Sequence, residues 1–325
     1  MILKAEKLAG MLIQKATDLA QDCQKVFVAV SGGADSSLIA AILCKAFGPM
    51  KVVGMYRDIK SNPKHLEDVK LLQSVLRFKL INIDANPLYD EFLKQTKEQF
   101  ELLGLAWAEE GSPEAEERGF KNAYASLKSR LTTPMAGFIA KAISNGGGRI
   151  FGTGNGEEDG MLRYFDKYGD GAVDNNVLDG LTKAEVKQLA RYFGVPERII
   201  TKIPSADLHA NGDAHNDEEE LTKWAHKLGY NINLSYGAPD GSEEGNIAWA
   251  WKQDIKFNVI KGVNFDNQKF YVPAEQLKTA PYNYTKKQTQ LILFLRQVEK
   301  ITRHKVEQPC GLKREILIKA GVVNE

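Results

Sequence analysis

Apolar residues recur at helical spacing through MILKAEKLAGMLIQKATDLAQDC at the start of the chain, with Lys, Glu and Asp between them. That pattern predicts an amphipathic surface helix rather than the unbroken apolar core of a signal peptide. Alternation follows. Residues 25–31 (KVFVAVS) are a short β-branched run, 34–47 return to helical spacing and close at Gly48-Pro49, and 51–55 (KVVGM) read as a second strand. Residues 63–76 read as a helix with Pro63 in its first turn, and 79–83 (KLINI) as a third strand. Strands alternating with helices of about 10–15 residues predict a parallel sheet with right-handed crossovers, hence a doubly wound α/β fold. Two longer helical patterns, 87–103 and 120–144, flank the acidic stretch GSPEAEERG; a strand is expected at 149–151 and an amphipathic helix at 182–193.

The tail changes character. Residues 230–284 are rich in Asn, Gly and aromatics, and the runs KFNVIKGVNF and QKFYV are expected to pair as a hairpin before a last helix at 286–302. The expected division is therefore a nucleotide-type domain over 1–229, an insertion with the hairpin over 230–285, and a helical segment over 286–325 that completes the domain. No internal repeat or low-complexity segment is present.

Composition narrows the function classes. A chain of 325 residues, 43% hydrophobic and 26% charged, is globular and neither disordered nor fibrous. Lys+Arg (43) against Asp+Glu (42) leave a net charge of +1, so there is no global basic field and no nucleic-acid partner is expected. No window approaches the roughly 18 apolar residues of a membrane span. Cys23, Cys44 and Cys310 form neither a disulfide framework nor a zinc knuckle, which fits a reduced, cytoplasmic compartment.

Candidate chemistry begins at Ser31-Gly32-Gly33-Ala34-Asp35-Ser36-Ser37, between the first core strand and its helix. Open α/β sheets bind ligands at that position. Two glycines let successive N–H groups converge on an anion, the three hydroxyls add donors, and the helix N-terminus adds its positive end. A carboxylate inside a phosphate cradle repels its ligand unless a divalent cation lies between, so Asp35 points to Mg²⁺. The plainer alternative is a Ser/Gly turn capped by Asp35. The loop lacks the Lys of G-x-x-x-x-G-K-[ST] and is not a P-loop of that kind.

This loop resembles the pyrophosphate loop of the ATP pyrophosphatases (adenine nucleotide alpha hydrolase-like fold), which adenylylate a carboxylate or carbonyl oxygen and release pyrophosphate. Three further segments resemble one branch, the NAD synthetases: Gly152-Thr153-Gly154-Asn155-Gly156-Glu157-Glu158 against G-T-x-N-x-x-E; Lys167-Tyr168-Gly169-Asp170-Gly171-Ala172-Val173-Asp174 against K-[YF]-G-D-G-x-x-D; and Leu181-Thr182-Lys183 with Pro204-Ser205-Ala206-Asp207-Leu208 against L-x-K and P-[ST]-A-D-L. The resemblance covers about 20–225. It implies a doubly wound sheet and ATP-dependent amidation of deamido-NAD by ammonia through an adenylylated carboxylate; the C-terminal elaboration at about 230–285 is absent from the family's short members.

The resemblance also implies roles. Ser31, Gly32, Gly33, Asp35, Ser36 and Ser37 would hold the ATP phosphates, Asp35 and Glu158 would ligate Mg²⁺, and Lys183 would offset charge as pyrophosphate leaves. Thr153, Lys183 and Ser205 stand where the family contacts ATP. Lys167 and Asp170 stand where it holds deamido-NAD, Asp174 and Asp207 would shape that site, and His304 and Lys305, followed by Pro309, resemble a pair that reaches the dinucleotide. Each has a plainer alternative. KYGDG is a good turn, Lys183 fits a solvated helix face, Ser205-Ala206-Asp207 fits a helix cap, and His304 and Lys305 are common helix-ending residues. Glu157 and Asp159 flank Glu158, so a one-residue frame slip stays open.

The chain also departs from the pattern. The family's N-x-x-A-R-x-R-M corresponds to Asn122-Ala123-Tyr124-Ala125-Ser126-Leu127-Lys128-Ser129-Arg130, with Ser126 at the first Arg and Lys128 or Arg130 standing for the second. The helix and turn that follow, ending at Asn145-Gly146-Gly147-Gly148, run about five residues longer than is usual in the family the chain resembles. These departures keep open the same chemistry on nicotinate mononucleotide. The other readings are a tRNA-modifying ATP pyrophosphatase and a nucleotide-binding regulator without catalysis. No glutaminase motif is recognised, so the chain is expected to take free ammonia, with a glutaminase partner possible but not indicated. A homodimer is implied by the resemblance alone. His209 and His215 with Asp213 and Asp217 resemble a metal set, but a solvated loop and an acidic cap for the helix starting at 217 are expected instead.

Overall fold

A computed structural model describes residues 2, 4–144, 147–205, 216–237, 244–265 and 268–307. Its centre is a sheet of β1 (Val26–Ala29), β2 (Val52–Asp58), β3 (Lys79–Asp84) and β4 (Arg149–Phe151), ordered β3-β2-β1-β4, with every neighbouring pair parallel. Val26 sits opposite Val52 on one side and Arg149 on the other. β1 and the start of β2 are buried on both faces, as their continuous apolar runs require.

Helices cover both faces. α1 (Ala5–Ala20), α2 (Ala34–Phe47), α3 (Pro63–Leu76), α7 (Lys183–Tyr192) and α8 (Glu197–Ile200) share one core with β1 through Leu38, Ile42, Val69, Val186 and Ile199. On the other face α6 (Phe120–Ile143) lays Ala140 against Phe27 and Val53. Beside it, α4 (Asn86–Leu102) places Tyr89 against Tyr124, with α5 (Pro113–Glu117) alongside. Local chemistry fixes the helix starts: Asn62 caps α3 ahead of Pro63, and Thr182 and Glu185 form a reciprocal capping box on α7.

A second core lies toward the C-terminus. Met161 and Leu162, on a π-helical turn (Gly156–Leu162), pack with Leu221 of α9 (Asp217–Lys227), Ile247 of α10 (Ile247–Phe257) and Phe294 of α11 (Lys286–Ile301). α12 (Arg303–Val306) follows directly. The hairpin forms, but smaller than expected: β5 (Val263–Phe265) pairs antiparallel with β6 (Gln268–Phe270). The front of the KFNVIKGVNF run belongs instead to α10 and its exit. Asn246 caps α10 by accepting from Trp249 N, and the Asp254 carboxylate takes the amides of Ile260 and Lys261, turning the chain before any strand begins. Among the described residues no helix is long and apolar enough to cross a membrane.

The strand order sets the site. The chain winds outward from β1 through β2 to β3, then returns to place β4 on the other side of β1. The crevice at that reversal, beyond the carboxyl ends of β1 and β4, is where this architecture binds ligands.

Candidate active site

The loop after β1 is held by its own donors. The Ser31 amide donates to Ser36 Oγ at 3.2 Å, the Gly33 amide donates to Ser31 Oγ at 3.3 Å, and Ser36 Oγ donates to the Gly33 carbonyl at 3.2 Å. Gly32 has φ +75°, and a Cβ there would stand 2.8 Å from the His65 carbonyl oxygen; only glycine suits the position. Ser37 Oγ is buried without a hydrogen-bond partner among the described residues. Asp35, in the first turn of α2, points toward β4.

The loop after β4 answers it. Asn155 caps the π-helical turn, its Oδ1 accepting the amides of Glu157 and Glu158 at 3.0 and 3.1 Å. Its Nδ2 donates to Asp35 Oδ1 at 3.0 Å and to Glu158 Oε2 at 2.7 Å. Lys183, the first residue of α7, puts Nζ 2.6 Å from Asp35 Oδ2 and 2.7 Å from Glu158 Oε1. Two carboxylates, an amide and an ammonium, separated by as much as 148 positions in the chain, thus form one closed cluster. Burial favours the neutral amine, but Asp35 and Glu158 outweigh it and hold the Lys183 ammonium charged, well above the ordinary lysine range.

The three consecutive acids diverge. Glu158 enters the cluster. Glu157 is fully buried and accepts the backbone amide of Lys183 at 2.6 Å. Asp159 turns back over Gly154, 3.5 Å from Asn176 Nδ2. Burial pushes Glu157 up to about 7 and Asp159 up to about 8.

Basic residues line the rest of the crevice. Lys202 Nζ donates to the Gly32 carbonyl at 3.3 Å and pairs with Asp68 at 2.8 Å. A cavity of about 330 Å³ opens beside Lys183, lined also by Lys187, Lys202, Pro204, Tyr236 and Gly237. Thr153 lies half-buried two residues before Asn155, and Ser205 half-buried next to Pro204. Asp207, His209, Asp213, His215, Pro309 and Cys310 lie outside the described residues.

The residues expected at the dinucleotide behave differently. Lys167 Nζ donates to the His304 carbonyl at 2.6 Å and to the Glu307 carbonyl, while Lys305 Nζ donates to the carbonyls of Arg163 and Phe165 at 2.9 and 2.6 Å. Asp170 accepts from Ser129 Oγ at 2.9 Å and from the Asp166 amide at 2.8 Å. Asp174 accepts the Ile150 amide of β4 at 2.8 Å. The fold brings Lys167, His304 and Lys305 together, but through backbone carbonyls of this chain. On α6, Lys128 is buried against Glu110 at 2.8 Å, so Arg130, 2.9 Å from Asp166, is the basic residue that α6 presents to this loop.

Several members escaped the sequence reading. Asn155 stood in a quoted motif without a role, and Glu157 at a position that the motif leaves open. Tyr236 and Gly237 carried no signal beyond an aromatic-rich stretch, and Lys202 and Asp68 none at all.

The chain is similar to known proteins over much of its length. The family model described as NAD synthase matches residues 7–229. An NH(3)-dependent NAD(+) synthetase of Carboxydothermus hydrogenoformans is 34% identical over 218 residues, covering 67% of this chain and 79% of that protein. One of Methanosarcina acetivorans is 31% identical over 220 residues, covering 67% and 76%. Among solved structures, an NMN synthetase from Francisella tularensis superposes with TM-score 0.64 at 19% identity, and an NH3-dependent NAD synthetase from Campylobacter jejuni with 0.59 at 20%; both cover 96% of this chain and all of the other. At such identities the superpositions establish the shared fold alone, a parallel sheet flanked by helices.

Proposed function

The chain belongs to the NAD synthase family, and from that premise we propose that it converts deamido-NAD to NAD, using ATP and ammonia and releasing AMP and pyrophosphate. The observation that carries the reading is the Asp35–Asn155–Glu158–Lys183 cluster at the sheet's reversal point.

A carboxylate resists attack by ammonia because its charge repels nucleophiles and its leaving group would be oxide. Attack of the nicotinate carboxylate oxygen on the α-phosphorus of ATP breaks the bond to pyrophosphate and makes an acyl adenylate. Ammonia then adds at the carbonyl carbon, AMP leaves with the carboxyl-derived oxygen, and a proton is released. The residues' task is to position the reactants and to neutralise charge on the departing pyrophosphate. Lys183 suits that task, since its ammonium stays protonated and the cavity beside it carries two further lysines. Residues 31–37, Thr153 and Ser205 are assigned to ATP.

Asp35 and Glu158 are the residues that would hold Mg²⁺. Their oxygens already converge on one cationic atom at 2.6 and 2.7 Å, and hard oxygen donors suit the ion. No group of three or more metal-ligating side chains occurs among the described residues, so the remaining ligands would come from phosphate and water, as magnesium commonly takes them. When bound, the ion supplies charge neutralisation on the phosphates.

Deamido-NAD is assigned to Lys167, Asp170, Asp174, Asp207, His304 and Lys305; Lys167 and Lys305 would exchange backbone carbonyls for the ligand. The mononucleotide alternative is not favoured, because the sequence relatives are NAD synthetases and the likeness to the NMN synthetase is one of fold. We also assign the chain to the cytoplasm, consistent with free Cys23 and Cys44, and to a homodimer, consistent with Leu88, Phe92 and Phe138 standing in solvent on α4 and α6. Sedimentation tests the dimer.

The test of function measures NAD and pyrophosphate with ATP, Mg²⁺ and ammonium, supplying deamido-NAD or nicotinate mononucleotide, with glutamine replacing ammonium as control. NAD formed from deamido-NAD with ammonium is the expected result. Preference for the mononucleotide would move the substrate assignment, and pyrophosphate from neither would overturn the proposal.

A further inference from the structure

Beyond the matched residues 7–229, the chain returns to the neighbourhood of the catalytic cluster at residues 235–237. The Ser235 amide donates to the Gly245 carbonyl at 3.2 Å and the Ile247 amide to the Ser235 carbonyl at 3.0 Å, fixing the segment to the start of α10. The Tyr236 amide donates to Glu218 Oε1 at 2.8 Å, and the Gly237 amide to Glu157 Oε1 at 3.4 Å. The other oxygen of Glu157 takes the backbone amide of Lys183 at 2.6 Å, while the Tyr236 ring centre lies 5.8 Å from the Lys183 ammonium.

One buried carboxylate thus joins the helix start that carries Lys183 to the strap that roofs it. The first amides of a helix have no partner within the helix. In α7 the capping box of Thr182 and Glu185 serves the amides of Glu185 and Thr182. Glu157 serves that of Lys183, fixing the backbone from which the side chain reaches. Close packing leaves little slack at the strap: a Cβ on Gly237 would stand 2.4 Å from Asn246 Nδ2.

We infer that Glu157 is a positioning residue that fixes Lys183 from below and ties the Tyr236–Gly237 strap over its ammonium, so that the chain beyond the matched region completes the catalytic site. Lys183 must exchange Asp35 and Glu158 for phosphate during turnover, and the ring face of Tyr236 gives the ammonium a favourable neighbour during that exchange. The kinetic part of this inference rests on the amidation reading; its structural part does not.

The experiment has two readouts, on the full chain. The first is acetylation of lysines in the unliganded protein, followed by mass spectrometry. Glu157→Gln and Tyr236→Leu are expected to raise labelling of Lys183 about tenfold while Lys128, buried elsewhere, stays protected, in keeping with local rather than global opening. Tyr236→Phe removes only a hydroxyl that is buried without a partner among the described residues and is expected to label as the parent does. Labelling of Lys128 and Lys183 alike, or of neither, overturns the inference. The second readout is kinetic: Glu157→Gln and Tyr236→Leu should lower kcat by about tenfold to a hundredfold, the cost of misplacing a catalytic group, with KM for deamido-NAD nearly unchanged and Tyr236→Phe restoring kcat. Unchanged kcat in Glu157→Gln also overturns it. A parent protein that makes no amide overturns the amidation reading, while the labelling pattern still decides the positioning role.

Discussion

The two ends of the active crevice use charge in opposite ways. At the carboxyl ends of β1 and β4, Asp35, Glu158 and Lys183 pair their side chains with one another, and Asn155 fills the oxygens left over. Around residues 163–170 the charged groups are tied mostly to the backbone: Lys167 to His304, Lys305 to Arg163 and Phe165, Asp170 to the Asp166 amide. The first arrangement compensates one charge with another and can trade partners when a polyanion enters. The second holds the C-terminal helices to the body of the protein. Motif resemblance marked both ends alike; their bonding separates a cluster of side chains paired with one another from a clasp of side chains onto backbone.

That contrast can be broken experimentally, first at its strongest point. Removing divalent metal with EDTA is expected to abolish NAD formation while leaving Tm nearly unchanged, because Lys183 already compensates the carboxylates; a large fall in Tm would show that a metal holds the fold. Lys183→Gln should lower kcat by roughly 10² to 10³, the usual cost of losing one donor to a developing charge, and a loss under tenfold would remove Lys183 from the chemistry. Lys305→Ala should lower stability by about 1–3 kcal/mol for hydrogen bonds made by a charged donor, read by denaturant unfolding, and raise KM for deamido-NAD with little change in kcat. Lost stability with KM unchanged would remove Lys305 from the substrate site.

The smallest effect is a pH dependence at the clasp. Burial alone would raise the Asp166 carboxyl, but the Ser126 hydroxyl at 2.5 Å and the Arg130 guanidinium at 2.9 Å hold it below the ordinary range. A lowered folded value means the contribution is present above the unfolded value of about 3.9 and is lost as the pH falls through the folded one. The Tm gap between the parent and Asp166→Asn should therefore be constant from about pH 7 to 5 and close below about pH 4. A gap that persists in acid would mean that shape rather than charge makes the contact.

Much of this was legible beforehand, for identifiable reasons. The strands at 26–29, 52–58 and 79–84 and helices such as Pro63–Leu76 follow from period and capping, which act over a few residues. The loop at 31–37 was readable because strand, glycines and helix start are contiguous. Lys128 was not: its place on α6 allowed a substrate role, and only packing shows it buried against Glu110. α10 was missed because the Asn-, Gly- and aromatic-rich composition around Trp249 and Trp251 masks its helical period, whereas its cap, Asn246, takes effect through geometry. Trp251 in turn closes on Gly156, where a Cβ would stand 2.1 Å from the ring, so a glycine at a position the motif leaves open answers to a helix nearly a hundred residues away.

By itself, then, the sequence determined the alternating sheet and helices and the family, and it singled out the loop at 31–37 and the residues Asp35, Glu158 and Lys183. These rest on short-range pattern and on contiguous motifs. Only the tertiary structure decided that Lys183 lies between the two carboxylates, that Glu157 rather than Glu158 ties α7 to the Tyr236–Gly237 strap, and that Lys167 and Lys305 clasp backbone. Those outcomes depend on which groups burial strips of water and then forces to find partners across the chain. No local pattern records that pairing.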